Sequence, residues 1–254
     1  MGVDDTLLFS AKQFLIEAME NHAARKRSFA IVHAITAVEL VLKERLSRIH
    51  PALIFKNIDA AGLREGSTVS LALLPQRLRN LGVHLEPDEV TLIKSVAEWR
   101  NQLVHYMPKF DALSVDQQLP RLLDFLSLFL RRELNTPIET FLPVSLYKTA
   151  DQLLNEWRRV ADAARGRAED EGSVLDETCP SCGGSHALCL RSEHAVFCHL
   201  CSAEWYRFDH CTKCGRETVS SFARFSSEEN LCDDCIDAAG DAYMQSLIDM
   251  ERGK

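Results

Sequence analysis

The chain has 254 residues, 46% of them hydrophobic and 26% charged, and a formal net charge of −8. That apolar content excludes global disorder, because a chain of this size can bury a substantial core. The charge balance is +1 over residues 1–150, −4 over 151–178 and −5 over 179–254, so no segment is broadly basic, which does not support a large nonspecific nucleic-acid surface and leaves room for a small local basic site.

The opening "MGVDDTLLFS" has no basic stretch followed by a long apolar one, so no signal peptide is read. No run approaches the roughly eighteen apolar residues that a membrane helix needs. A soluble, cytoplasmic protein with no membrane partner is the expectation.

The first half reads as helices. "TLLFSAKQFLIEAMENHAARK" repeats apolar residues every three or four positions, at Leu8, Phe14, Leu15, Ala18 and Met19. Ser28 is placed to cap the next helix, "FAIVHAITAVELVLKERLSRI", which stops before Pro51. Within it Glu39 and Lys43 form an i, i+4 pair. Residues 51–67 read as a loop. "VSLALLPQRLRNLG" is a shorter helix, started or bent at Pro75 and ended by Gly82. "PDEVTLIKSVAEWRNQLVHYM" follows, with Pro87 and acidic residues in its first turn and Pro108 after its end. "VDQQLPRLLDFLSLFLRREL" is another apolar helix, and "SLYKTADQLLNEWRRVADAARGR" leads out of the bundle. No strand alternation competes, so this half is all-α. The charged, glycine-bearing "GRAEDEGSVLDE", residues 166–177, reads as a linker, and "GDAYMQSLIDMERGK" as a short closing helix. The expected organisation is a helical bundle over 1–140, a connecting helix and linker over 141–177, and a cysteine-rich region over 178–254. The fold class is mainly α, with that small cysteine-rich appendage.

The helix carrying "EWRNQLVHYM" is unusual. Taking Leu92 as zero and advancing about 100° per residue, Val96, Trp99, Leu103, Tyr106 and Met107 fall within about 60° of it. Ile93, Ala97 and Val104 extend the apolar arc to about 140°. Asn101 and His105 are neighbours on the polar side. Arg100 falls near 80°, inside the apolar arc. A guanidinium there must find an anion or several acceptors. One reading is structural: Arg100 pairs with a bundle acid such as Glu39, and His105 is an ordinary helix-end histidine. The other is a phosphate site, because Arg offers bidentate donors and His moves protons near neutral pH. Arg100 and His105 lie about 140° apart on an ideal helix. Either the helix distorts near His105, or a second copy supplies a partner.

"RNQLVH" resembles the Arg-polar-x-x-x-His motif of HEPN domains, and "AVELVLKERL" is similar to their second helix. The resemblance covers roughly residues 5–140. It implies a four- or five-helix bundle, and a homodimer in which two motifs form one cleft. It also implies a metal-independent endoribonuclease of toxin or antiviral-defence type, acting on an RNA substrate. Carried over, Arg100 binds the scissile phosphate, His105 is the acid/base and Asn101 orients the cleft. The implied chemistry is attack of the RNA 2′-hydroxyl on the neighbouring phosphate. Members silenced by adenylylation carry Tyr two residues after the His. Here Met107 takes that place, with Tyr106 before it, so that control is not implied.

All nine cysteines lie at or beyond residue 179. Eight form the pairs Cys179/Cys182, Cys198/Cys201, Cys211/Cys214 and Cys232/Cys235. Both halves of this set fit C-x2-C-x15–20-C-x2-C, a strong zinc signal where no export segment is read. Two structural Zn²⁺ ions are expected, each in a closed four-cysteine site. Sequential pairing is the expectation and interleaved pairing the alternative. "CPSCGG" and "CTKCG" place glycine after the second Cys, where a zinc knuckle needs permissive backbone. Cys189 is left over and reads as a small buried apolar residue. His186, His199 and His210 are spare ligands that a full set of eight thiolates makes unnecessary. Trp205, Tyr206, Arg207, Phe222 and Phe225 are candidates for partner contact, or else ribbon packing. A zinc site with four thiolates carries −2, which argues for positioning a target or a regulatory protein partner over general RNA backbone binding. Two other functions stand beside the ribonuclease. One is a non-catalytic nucleotide- or protein-binding bundle with a ribbon scaffold. The other is a transcription-linked zinc adaptor, which the acidic ribbons disfavour.

Overall fold

The structure is a computed structural model. It describes residues 4–58, 67–105, 112–172, 174–175, 179, 182, 184, 186–192, 195–208, 211–215, 218–221 and 235. For 4–6, 98, 101–105, 112–116, 205–208 and 218–221 the description is of the backbone alone. The chain forms two compact units, Met1–Asp162 and Ala163–Lys254.

The first unit is helical. Its helices are α1 (Asp4–Ala23), α2 (Arg27–Ile49), α3 (Leu74–Asn80), α4 (Pro87–His105), α5 (Ala112–Leu134) and most of α6 (Val144–Asp170). α2 is the centre: α1, α4 and α5 all pack on it. Its Ile31, Ala34, Ile35, Val38, Val41, Leu42 and Leu46 are buried, against Leu15 and Met19 of α1, Ile93 and Val96 of α4 and Leu122, Leu123 and Phe129 of α5 in one core. A helix apolar on so much of its circumference has to be surrounded. Among the described residues, no helix is long and apolar enough to cross a membrane.

The ends of the elements show where local signals held. α3 begins with Pro75 in its first turn, where the missing N–H costs nothing. It closes with Val83 N–H donating to Leu78 and Gly82 N–H to Arg79, the paired bonds of a Schellman turn. α4 begins at Pro87 with Asp88 and Glu89 against its N-terminal dipole. Ser28 does not cap α2. The helix starts one residue before it, at Arg27, and its cap residue, Lys26, makes no side-chain capping bond. Residues 51–54 form a 3₁₀ turn, and Phe55 bridges to Thr68.

Within 166–177, the described residues carry more regular structure than the composition suggests. α6 runs through Gly166 to Asp170 because Ala164 and Ala168 are fully buried on one side. Val174–Leu175 then forms a strand. The proposed closing helix, 240–254, lies outside the described residues.

Among its described residues the second unit has an antiparallel five-stranded meander, in the order β1 (Val174–Leu175), β2 (Leu188–Leu190), β3 (Ala195–Cys198), β4 (Glu204–Phe208) and β5 (Thr218–Ser221). Leu188 pairs with Cys198, Cys189 with Phe197 and Leu190 with Val196. Residues directly opposite share a face, and neighbours along a strand alternate. Leu188, Leu190, Val196 and Cys198 therefore face one way, and Cys189 and Phe197 the other.

Candidate functional site

In the bundle, Arg100 donates through Nη1 to Oε2 of Glu39, and Lys43 donates to the other oxygen of the same carboxylate. Lys43 also donates to the Thr68 hydroxyl at 2.9 Å. Glu39 is 13% exposed and Lys43 8%, whereas Arg100 keeps 38% of its side-chain surface. Arg100 is thus half-buried at the edge of the apolar arc rather than sealed inside it. The three side chains carry a net +1. α4 remains α-helical through His105. The side chains of Asn101 and His105 lie outside the described residues.

The cysteine region builds a compact ligand set. Cys179, Cys182, Cys198 and Cys201 converge, with all four sulfurs within 4.8 Å of one another. The Cys179–Cys201 Sγ distance is 3.7 Å and the Cys182–Cys198 distance 3.8 Å. A tetrahedron with metal–sulfur bonds of about 2.3 Å has an edge of about 3.8 Å. The spacing therefore fits a thiolate-bound dication of zinc size. Among these thiols, Cys198 is driven below the ordinary thiol range, chiefly by a hydrogen bond from Cys179, while Cys182 is pushed above it. They compete for protons, and a cation ends the competition by taking all four as thiolates.

Two knuckles share one backbone device. Ser202 N–H donates to the Cys198 carbonyl at 2.8 Å, and Gly215 N–H donates to the Cys211 carbonyl at 2.8 Å. Both residues are left-handed, with φ of +59° at Ser202 and +73° at Gly215. Gly215 suits that conformation, as glycine after a second cysteine was expected to, and Ser202 adopts it at a cost. Gly183 lies outside the described residues. Gly184 lies close to Leu200: a Cβ there would sit 2.5 Å from the tip atom Cδ2 of Leu200, which would have to shift.

Cys211, Cys214 and Cys235 form a second cluster, with Cys232 outside the described residues. The first cluster joins the first two pairs, and the described members of the second come from the last two, the grouping of the sequential pairing. His210, Phe222 and Phe225 lie outside the described residues, as do the side chains of Trp205, Tyr206 and Arg207.

Cys189 is fully buried, as expected, but its thiol has polar partners. Its thiol donates to Oε2 of Glu171 at 2.7 Å and lies 3.4 Å from Nε2 of His199. His199 Nε2 is 3.0 Å from Oε1 of Glu171. Burial, then the Glu171 carboxylate, push the thiol up to about 11, while the Glu171 carboxyl is held below its ordinary value, chiefly by the Cys189 hydrogen bond. This trio escaped sequence reading because Glu171 lay in the presumed linker. The available signal was period-2 alternation through Phe197, Cys198 and His199, which turns His199 away from Cys198; the pairing of Cys189 with Phe197 that completes the trio is a matter of register.

Comparison of the chain with protein-family models, with curated proteins and with solved structures gave no match.

Proposed function

We propose that the bundle is a metal-independent endoribonuclease of HEPN type, and that the cysteine clusters hold two structural Zn²⁺ ions that stabilise an appendage for target or partner recognition. One observation carries the catalytic reading: Glu39 holds one edge of Arg100 while the guanidinium stays partly open to solvent. A guanidinium has five N–H donors, and one is engaged by Glu39, so others remain for a phosphate. The residual +1 of the Glu39–Lys43–Arg100 group favours an anion there. Because α4 stays helical to His105, positions 100 and 105 remain about 140° apart. A second copy of the chain then completes the cleft, as a homodimer.

In the proposed reaction, His105 takes the proton of the RNA 2′-hydroxyl. The freed oxygen forms a bond to the adjacent phosphorus, and the bond to the 5′-oxygen breaks. That oxygen takes a proton from an acid, the second histidine of the dimer. Arg100 stabilises charge on the non-bridging oxygens, and Asn101 orients the strand. The products are a 2′,3′-cyclic phosphate and a 5′-hydroxyl. Dependence on the 2′-hydroxyl restricts the substrate to RNA.

The second reading is a non-catalytic nucleotide- or protein-binding bundle. The same ion pair favours it, because a carboxylate partner is what a purely structural arginine requires. Incubating the purified protein with total RNA, and mapping the new ends, separates the two. Cyclic-phosphate ends that disappear in both Arg100→Ala and His105→Ala support the ribonuclease. Intact RNA, or cleavage unaffected by either change, supports the binding module.

A further inference from the structure

We propose that Glu171, Cys189 and His199 form a third metal site, for a borderline-soft divalent cation such as Zn²⁺, separate from the two cysteine clusters and open at its fourth position.

The site is assembled by three pieces of local structure. α6 ends at Asp170, and a turn closed by Gly172 N–H on the Glu169 carbonyl sets Glu171 beside the sheet. β1 pairs Val174 with Cys189, which holds that turn against β2. His199 follows β3 and is fixed by its N–H on the Ala187 carbonyl at 2.8 Å, with Arg167 donating to its own carbonyl. Its ring packs edge-on against Phe197. Pairing of Cys189 with Phe197, and of Leu188 with Cys198, puts the trio on one face of the sheet and Cys198 on the other. It is therefore not a spare ligand for the four-cysteine site.

The donor set is thiolate, imidazole and carboxylate, the three ligand types that zinc takes. A tetrahedral site would place sulfur and nitrogen about 3.6 Å apart, and nitrogen and oxygen about 3.4 Å apart. Here those distances are 3.4 and 3.0 Å. The shorter sulfur–oxygen contact, 2.7 Å, is a hydrogen bond from the thiol to the carboxylate's Oε2, whereas the 3.0 Å contact of the imidazole is to Oε1. Coordination replaces it: the thiol proton passes to solvent, a metal–sulfur bond forms, and the contact widens. Arg191 lies 3.6 Å from Glu171 Oε1 and stacks its guanidinium 3.4 Å from the Phe197 ring centroid. It is placed to hold the carboxylate from outside, as partners of metal-bound carboxylates do. Cys189 is fully buried and His199 nearly so, while Glu171 is 38% exposed. The approach is from the Glu171 side, and three protein ligands leave room for a water.

The test is the metal content of the full-length protein, purified in zinc and desalted, with Cys189→Ser, His199→Gln and Glu171→Gln beside it. The site predicts one equivalent fewer in Cys189→Ser and in His199→Gln than in the parent. The four-cysteine sites keep theirs, seen as unchanged sulfur-to-metal charge-transfer bands per remaining site after Co²⁺ exchange. Glu171→Gln, the mildest change, weakens retention of that same equivalent. Equal metal content in parent, Cys189→Ser and His199→Gln overturns the proposal and leaves a hydrogen-bonded trio only. Loss of more than one equivalent in all three variants does so too, since the residues would then support the fold rather than bind an ion.

Discussion

Arg100 and Glu39 are 61 residues apart in sequence and joined by one ion pair between α4 and α2. Glu39 serves two cations at once, since Lys43 takes its other oxygen. Glu39→Gln removes the charge and keeps the shape. Lys43 retains the Thr68 hydroxyl, and Arg100 retains solvent on part of its surface, so the loss falls below the roughly 3–5 kcal/mol of a broken buried pair. A loss of about 2 kcal/mol is expected, as a lower urea midpoint at unchanged slope. If Glu39 orients the guanidinium for RNA, cleavage falls with it at concentrations where the fold is intact. Unchanged cleavage assigns the pair to the fold alone.

Arg100→Ala and His105→Ala are each expected to lower RNA cleavage by about 10²–10⁴-fold, the range for loss of a proton-transfer or charge-stabilising group. Asn101→Ala is expected to cost less. Circular dichroism should show helix retained in all three. A heterodimer of Arg100→Ala with His105→Ala distinguishes the composite cleft. It keeps one arginine and one histidine in the shared cleft, from opposite protomers, and should recover the part of the activity that does not depend on the second histidine as acid, which neither homodimer shows.

The cysteine clusters give a metal prediction independent of catalysis. Zinc should be found in the purified protein, and Cys179→Ser or Cys211→Ser should each lose at least the equivalent held at its own cluster, with retention at the other weakened through the shared sheet. Small zinc folds draw much of their folding free energy from the metal. Prolonged chelation should therefore abolish the sheet signal and expose thiols to alkylation. The bundle is a separate compact unit with its own core, so its helical signal should persist through the same treatment.

Ser202 and Gly215 permit a comparison within one molecule. Both occupy left-handed backbone after the second cysteine of a knuckle. Gly215→Ala should weaken metal retention at its cluster by about 1 kcal/mol, roughly a fivefold change in a chelator competition. Ser202→Gly should strengthen retention at the first cluster by a similar or smaller amount, as backbone strain is relieved and chain entropy is lost. Opposite signs for the two substitutions are the expected result.

The helices were legible because their apolar spacing and their proline and glycine punctuation agree, as at Pro87 and Gly82. Glu39 was legible as a partner of Arg100 because an arginine inside an apolar arc demands an acid, and helix α2 offered one at a buried height. The CxxC spacing made the clusters legible because two thiolates on one turn have little other use. Ser28 misled because good capping chemistry does not prevent a helix from starting earlier. Glu171 was hidden for a different reason. Its surroundings are charged and polar in sequence, and only Ala164 and Ala168 record that this stretch packs. Two alanines make too faint a pattern to outweigh six charges.

The hydrogen bonds between β4 and β5, with Tyr206 against Ser220 and Arg207 against Val219, join the strands next to one cysteine cluster to the strand that follows the other. Two ribbons on a slack tether would release their ions at unrelated concentrations of chelator. A shared sheet ties their fates. Freeing either ion frays strands that brace the other, so release should follow one steep curve, with a Hill slope above one. Partly emptied molecules would be scarce. Under metal starvation the appendage would then pass between complete and wholly dismantled, and any duty it has would end at a threshold rather than fade.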